Sequence, residues 1–336
     1  MIRTAWYAVC WSHEVSTSPA KFTIHSEDFI AVRDSFGIVH AFQAHCPHRG
    51  CDLSKASFNN DEIVCPFHGW RFDITGTCTH IPANQNAARI PSKARLSSYP
   101  SCEKSGLVWV YTVCTGSIAI EEHPALALFD ELDTDWRIVP FCSTWNAHFT
   151  RVVESVLDVS HLPFVHPETS GQDISPIVEG LKYCVSKTGI LIYPNQFGPS
   201  HPMEPLPSPP DCEKQTEIEL VFPNQWMIRT PLGDTTRMCT FLTFTPVTLD
   251  VTNIFGFVIR NFDCESDVFD ELHLNHTHFV MNQDKAIVES LRPVQPPDLK
   301  YELHVPSDTP TIRFRTMMFN AMKRETELKN GALPFL

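Results

Sequence analysis

Four side chains on two short stretches have the types and spacing of a metal centre. His45-Cys46-Pro47-His48-Arg49-Gly50-Cys51 and Cys65-Pro66-Phe67-His68-Gly69-Trp70 read Cys-x-His, sixteen intervening residues, then Cys-x-x-His. Each pair falls between strand-like runs, so two neighbouring loop tips could offer four ligands to one site. Two thiolates can hold one iron, and two imidazoles the other, of a [2Fe–2S] centre whose potential lies above that of the all-cysteine type. A structural Cys₂His₂ zinc site is the competing chemistry. Zinc fingers usually keep their cysteines together and their histidines later, and the mixed pairs here disfavour that reading.

A second constellation lies in Glu154-Ser155-Val156-Leu157-Asp158-Val159-Ser160-His161-Leu162-Pro163-Phe164-Val165-His166. Glu154, Asp158 and His161 recur at helical spacing and so share one face of a helix. On a continuous helix His166 would point about 140° away from His161. Pro163 is expected to break the helix between them, letting both imidazoles turn to one metal. Taken alone, the two histidines read more readily as partly buried or surface groups beside a helix end. Two histidines and a carboxylate make the facial triad that leaves positions open on Fe(II). Downstream, Asp267, Asp270 and Asp284 are the candidate carboxylates.

The elements that must carry these groups differ between the two halves. Residues 1–115 read as a small all-β domain of short strands and turns. Val32 to Phe42 forms a hairpin about Asp34-Ser35-Phe36-Gly37, Glu62–Cys65 and Gly69–Asp73 flank a loop, and Gly106–Tyr111 is a buried strand. Residues 116–137, ending in an acidic run, are the connection. Residues 138–336 read as α+β. Helices are expected over Trp145–Ser160, Asp267–Leu291 and Thr311–Lys329, and strands over Gly189–Tyr193, Glu217–Phe222, Cys239–Thr245 and Asn253–Arg260. Pro199 to Pro210 is a proline-rich loop. His276 and His278 are two apart and face different ways on a helix, which makes them structural or surface groups. Phe241, Phe244, Phe255 and Phe257 are sheet core or the lining of an apolar cavity.

The chain resembles the Rieske family through both ligand loops, Gly69-Trp70-Arg71-Phe72-Asp73, Gly76 and Cys78. The resemblance makes Cys46 and Cys65 the thiolate ligands of the [2Fe–2S] cluster and His48 and His68 the imidazole ligands. Respiratory Rieske proteins add a disulfide between the two loops. Cys51 stands at its first position but Phe67 at its second, which points to ferredoxin or oxygenase members. Asp-x-x-His-x-x-x-x-His resembles the catalytic-domain signature of Rieske oxygenases, which makes His161 and His166 ligands of a mononuclear iron. Gln283-Asp284-Lys285-Ala286-Ile287-Val288-Glu289 resembles the family's carboxylate-ligand helix and selects Asp284. Asp267 and Asp270 are then favourable charges at the start of that helix.

Ala5-Trp6-Tyr7 and His304-Val305-Pro306-Ser307-Asp308 are similar to the vanillate and dicamba demethylase branch and to cyanobacterial oxygenases of saxitoxin-type alkaloids. The resemblance implies a helix-grip-like catalytic domain and a homotrimer. It implies that Asp158 bridges the His68 of one subunit to the His161 of the next, and it leaves Glu154 without an assigned role. The expected activity is that of a terminal oxygenase, hydroxylating or demethylating a small organic substrate with O₂, a [2Fe–2S] cluster and Fe(II). The non-enzymatic rival is a Rieske electron carrier with an appended binding domain. No Gly-x-Gly-x-x-Gly fingerprint is visible, so a separate NAD(P)H-dependent reductase, with or without a ferredoxin, must supply electrons.

Composition narrows the partners. The 336 residues carry a formal charge of −13, against the basic face a nucleic-acid binder needs. No secretory signal is readable, and the longest uncharged run near a junction, Gly106–Ile120, is shorter than the roughly twenty residues of a membrane span. The expected location is the cytoplasm. Its twelve cysteines are then mostly reduced thiols, with Cys102, Cys142 and Cys239 as small core residues.

Overall fold

The computed structural model describes residues 2–16, 18–84, 89–114, 123–169, 176–177, 181–197 and 215–329. The proline-rich stretch 199–210 and all of 116–122, the start of the expected connection, lie outside the described residues. The chain divides into two compact units, Arg3–Ala127 and Leu128–Leu336 with Met1–Ile2.

The first unit is built of short antiparallel strands. One sheet orders β1 (Trp6–Trp11), β11 (Leu107–Tyr111) and β10 (Ser101–Lys104). A second orders β2 (Ala20–Ile24), β3 (Glu27–Arg33), β4 (Val39–Gln43) and β9 (Ser98–Tyr99). The expected hairpin joins β3 to β4, where Asp34 Oδ1 accepts the N–H groups of Phe36 and Ile38 at 3.0 and 2.8 Å. The third sheet runs β5 (Ser57–Asn59), β6 (Glu62–Val64), β7 (Arg71–Asp73) and β8 (Cys78–His80). Ile30, Phe42, Leu53, Ile63 and Phe72 form a buried core that continues into Cys46 and Cys65.

The second unit is α+β. Its seven-stranded antiparallel sheet orders β12 (Arg137–Trp145), β18 (Thr252–Arg260), β17 (Arg237–Pro246), β16 (Gln225–Pro231), β15 (Glu217–Val221), β14 (Gly189–Phe197) and β13 (Leu181–Val185). Strands β12, β13 and β16 carry no expectation from the sequence. Cys142 is exposed rather than core. It lies on the edge strand β12, where alternate side chains face opposite ways. Phe241, Phe244, Phe255 and Phe257 are all buried. They divide between the two faces, because Phe244 is out of phase with Phe241 along β17.

Four α-helices lie among the unit's described residues: α1 (Phe149–Ser155), α2 (Leu162–Val165), α3 (Asp267–Val288) and α4 (Thr309–Lys329). The helix expected over Trp145–Ser160 is shorter at both ends. Trp145 closes β12, paired with Thr252. At the other end Asp158 Oδ1 accepts the Ser160 N–H at 2.8 Å and its hydroxyl at 2.6 Å. Such a local side-chain turn competes with helical hydrogen bonding. Pro163 likewise does not break a helix. It sits in the first turn of the one-turn α2, where proline's missing N–H costs nothing.

Helix α3 buries Asp270, His273, Thr277, Met281 and Val288 along one stripe. Ser266 caps its start by accepting the Phe269 N–H at 3.2 Å. Asp267 and Asp270 do more than complement the helix end. Arg137 reaches both, and the fully buried Arg260 donates to Asp270 at 2.5 Å. His276 is exposed, and His278 lies edge-on to Phe141. Among the described residues no helix is long and apolar enough to cross a membrane.

Candidate cluster and iron sites

The two Cys–His loops are congruent. Gly50 N–H donates to Cys46 O at 2.8 Å, and Gly69 N–H to Cys65 O at 2.9 Å. One residue further on, the O atoms of Cys51 and Trp70 accept the Cys46 and Cys65 N–H groups, both at 2.9 Å. Gly50 and Gly69 take φ of +70° and +68° to close these turns, a region where a side chain is strained. The repeated Cys-x-x-x-Gly was a visible sequence signal for the loop geometry.

The turns bring both pairs together. The His48 and His68 rings lie 4.6 Å apart, and Trp70 stacks on His48 at 4.5 Å with planes 6° apart. Cys46 and Cys65 are buried and within hydrogen-bonding reach of each other. Burial pushes the Cys46 thiol up to about 11, a cost that a coordinated metal would remove by binding the thiolate. Burial, then the neighbouring His68, holds His48 below the ordinary histidine range, so its ring is neutral and able to ligate. His48 Nδ1 is buried with no hydrogen-bond partner. A buried ring nitrogen without a partner beside two thiols fits a metal–sulfur group.

In the second unit His161, His166 and Asp284 each offer one ligand atom, and the three atoms lie within 4.8 Å of one another. Asp284 Oδ1 is 2.9 Å from His166 Nε2 and 3.4 Å from His161 Nε2. His161 stands immediately before α2 and His166 immediately after it. Asp284 comes from α3, whose last turn and C-cap contact the end of β12 and the residue that follows it. Lys285 Nζ donates to Thr144 O at 2.8 Å, and Asn146 N–H donates to Glu289 at 2.7 Å. Asp267 and Asp270, at the other end of α3, lie with their arginines and away from this site.

The second nitrogen of each imidazole is also addressed. His166 is only 1% exposed, and its Nδ1 lies 2.8 Å from Gln283 Oε1, an oxygen that can only accept, while its Nε2 faces Asp284. His161 Nδ1 faces Asp158 Oδ2 at 3.7 Å. Burial opposes a charge on His161, but the Asp158 and Asp284 carboxylates outweigh it and lift the group to about 9. Burial also opposes the charge on Asp284, and His161 and His166 nonetheless hold its carboxyl below the usual range. Two imidazoles and a carboxylate around one point, with the second nitrogen of one imidazole held by Gln283, are a donor set for a divalent first-row metal.

Sequence reasoning missed Gln283 as a partner and left Glu154 open. Glu154 lines the same cavity as His161 and Asp284 and binds Arg315 of α4 through both oxygens, with Arg151 3.7 Å away. Arg151 and Arg315 also reach Glu302 at 2.8 and 2.6 Å. Burial pushes the Glu154 carboxyl up against the pull of these arginines. A cavity of about 540 Å³ reaches the site, bounded by Asp158, His161 and Asp284 and by Ile287, Leu291 and Leu303.

Comparison with known proteins agrees with this anatomy. Residues 5–100 match the Rieske [2Fe-2S] domain, and residues 145–324 match the vanillate O-demethylase oxygenase C-terminal domain. The iron–sulfur subunit TsaM1 of the toluene-4-sulfonate monooxygenase system of Comamonas testosteroni is 31% identical over 53% of this chain and 51% of its own length. Methylxanthine N1-demethylase NdmA of Pseudomonas putida is 26% identical over 94% of this chain and 87% of its own. The first curated relatives are matched over about half their length or less, 51%, 34% and 46%. The fold is that of dicamba monooxygenase bound to dicamba, with a TM-score of 0.76 at 20% identity over 97% of this chain and 99% of that one.

Proposed function

The chain belongs to the vanillate O-demethylase oxygenase family, and on that footing we propose that it is the terminal oxygenase of a Rieske monooxygenase system. It hydroxylates a C–H bond of a small organic substrate, or removes an O- or N-methyl group oxidatively. The observation that carries this reading is the convergence of His161, His166 and Asp284 in a chain that also holds a Rieske [2Fe-2S] domain.

Cys46, Cys65, His48 and His68 would hold the cluster, and His161, His166 and Asp284 the iron. When bound, the cluster supplies electrons singly and the iron supplies an open site for O₂. One oxygen atom goes to carbon and the other, with two electrons and two protons, to water. If the carbon carries an ether oxygen or an amine nitrogen, the hydroxylated product collapses to formaldehyde and the demethylated molecule.

The protein's own residues set the geometry. Gln283 holds His166 in one tautomer, and α2 fixes the separation of the two imidazoles. Asp158 orients His161 and, with its side chain 34% exposed, remains open to a neighbouring subunit's His68. In that arrangement the chain works as a homotrimer in the cytoplasm. Electrons come from a separate NAD(P)H-dependent reductase, directly or through a ferredoxin. The name of the toluene-4-sulfonate relative, an iron–sulfur subunit of a monooxygenase system, supports such a partner.

Metal analysis with an O₂-uptake screen tests this. The oxygenase should hold three irons per chain, and a surrogate reductase should drive substrate-dependent O₂ uptake with methoxyaromatics, N-methyl compounds or alkaloids. Two irons and no uptake would leave an electron carrier with a binding domain.

A further inference from the structure

Cys51 stands where respiratory Rieske proteins place the first half of an inter-loop disulfide, and Phe67 removes the second half. The structure nevertheless puts Cys51 at the junction of the two ligand loops. The bond from Cys46 N–H to Cys51 O at 2.9 Å folds residue 51 back beside the start of its own loop. Its half-buried sulfur packs on the core that holds Cys46 and Cys65. There it accepts the backbone N–H of Phe67 and lies within hydrogen-bonding reach of the Cys65 thiol. The S–H also makes a long contact to the Asp52 carbonyl, at 3.9 Å. An iron-bound thiolate at Cys65 is the better acceptor, because hydrogen bonds to ionised acceptors are shorter and stronger.

We propose that Cys51 is a non-covalent clasp: its sulfur accepts the Phe67 N–H while its S–H donates to Cys65 Sγ. One side chain then ties the first loop to the second and draws charge from a cluster ligand. The first effect slows opening of the loops and loss of the cluster. The second raises the reduction potential, because a donor to a ligand sulfur favours the more negative, reduced cluster.

This inference rests on the [2Fe–2S] reading of the two loops, and the experiment separates the two. A native chain without the visible absorbance of a cluster overturns that reading itself. With the native cluster present, Cys51→Ala is compared in the holoprotein by optical redox titration and by bleaching in a chelator. The expected result is a negative shift in midpoint potential and bleaching about fivefold faster, the factor for one lost hydrogen bond. Cys51→Ser, which keeps a donor, should lie closer to the native chain on both measures. If the alanine variant assembles no cluster, Cys51→Val fills the thiol's volume without a donor and gives the same comparison. Native potential and native bleaching in a donor-free variant overturn the clasp and leave the cluster assignment standing.

Discussion

At His166 the choice of tautomer is made by Gln283. A carboxamide oxygen can only accept, so the ring must carry its proton on Nδ1 and turn Nε2 toward Asp284. Gln283→Leu removes that acceptor and leaves a buried N–H without a partner. Iron affinity should fall by about 10–100-fold, read by competition with a chelator, while the visible absorbance of the cluster stays unchanged. Equal iron retention would mean that packing alone orients the ring. The identity of such groups was legible in the sequence to different depths. Cys46, His48, Cys65 and His68 announce themselves by spacing within single loops. Gln283 does not, because its partner lies 117 residues away and nothing local marks the pairing.

Between elements, the buried pair of Glu154 and Arg315 ties α1 to α4. Arg315→Met leaves Glu154 with only the more distant Arg151. Removing one partner of a buried pair costs about 3–5 kcal/mol, and Arg151 keeps the loss near the lower figure. Urea unfolding should report it, and Glu154→Gln in the same chain should recover part of the loss. Asp270 plays the corresponding part between α3 and the sheet. Arg137, then Arg260, hold its carboxyl below the usual range against the cost of burial. A depressed folded value gives stability that is complete above the unfolded value near pH 4 and is lost as pH falls through the folded one. Asp270→Asn should therefore flatten the acid limb of the unfolding profile below about pH 4, and an unchanged slope would assign that limb to other carboxylates. Helices α3 and α4 were legible because 267–291 and 311–329 are long runs free of proline and glycine. The end of α1 was not, because Asp158 looks like a helical residue until its side chain is seen bonding Ser160.

At the scale of the whole molecule the question is which cluster feeds which iron. Subunits carrying His68→Ala should lack the cluster, and subunits carrying His161→Ala the iron. Each alone should be inactive; on the proposed homotrimer, co-assembled subunits should regain O₂ uptake, because that arrangement sets an intact cluster of one subunit against an intact iron of the next. Asp158→Asn in the His161-competent subunits should abolish that recovery while both metals remain loaded. A mixture that forms trimers and stays inactive would place the electron path within one chain. The one-turn helix between the two histidines also says something about how such a site can be copied. Leu162–Val165 sets a spacing, and inserting a single residue there would swing His166 by about 100° about the axis. The segment can tolerate changes of letter but not of length, so a designer grafting this iron site onto another scaffold must transplant it as one indivisible cassette.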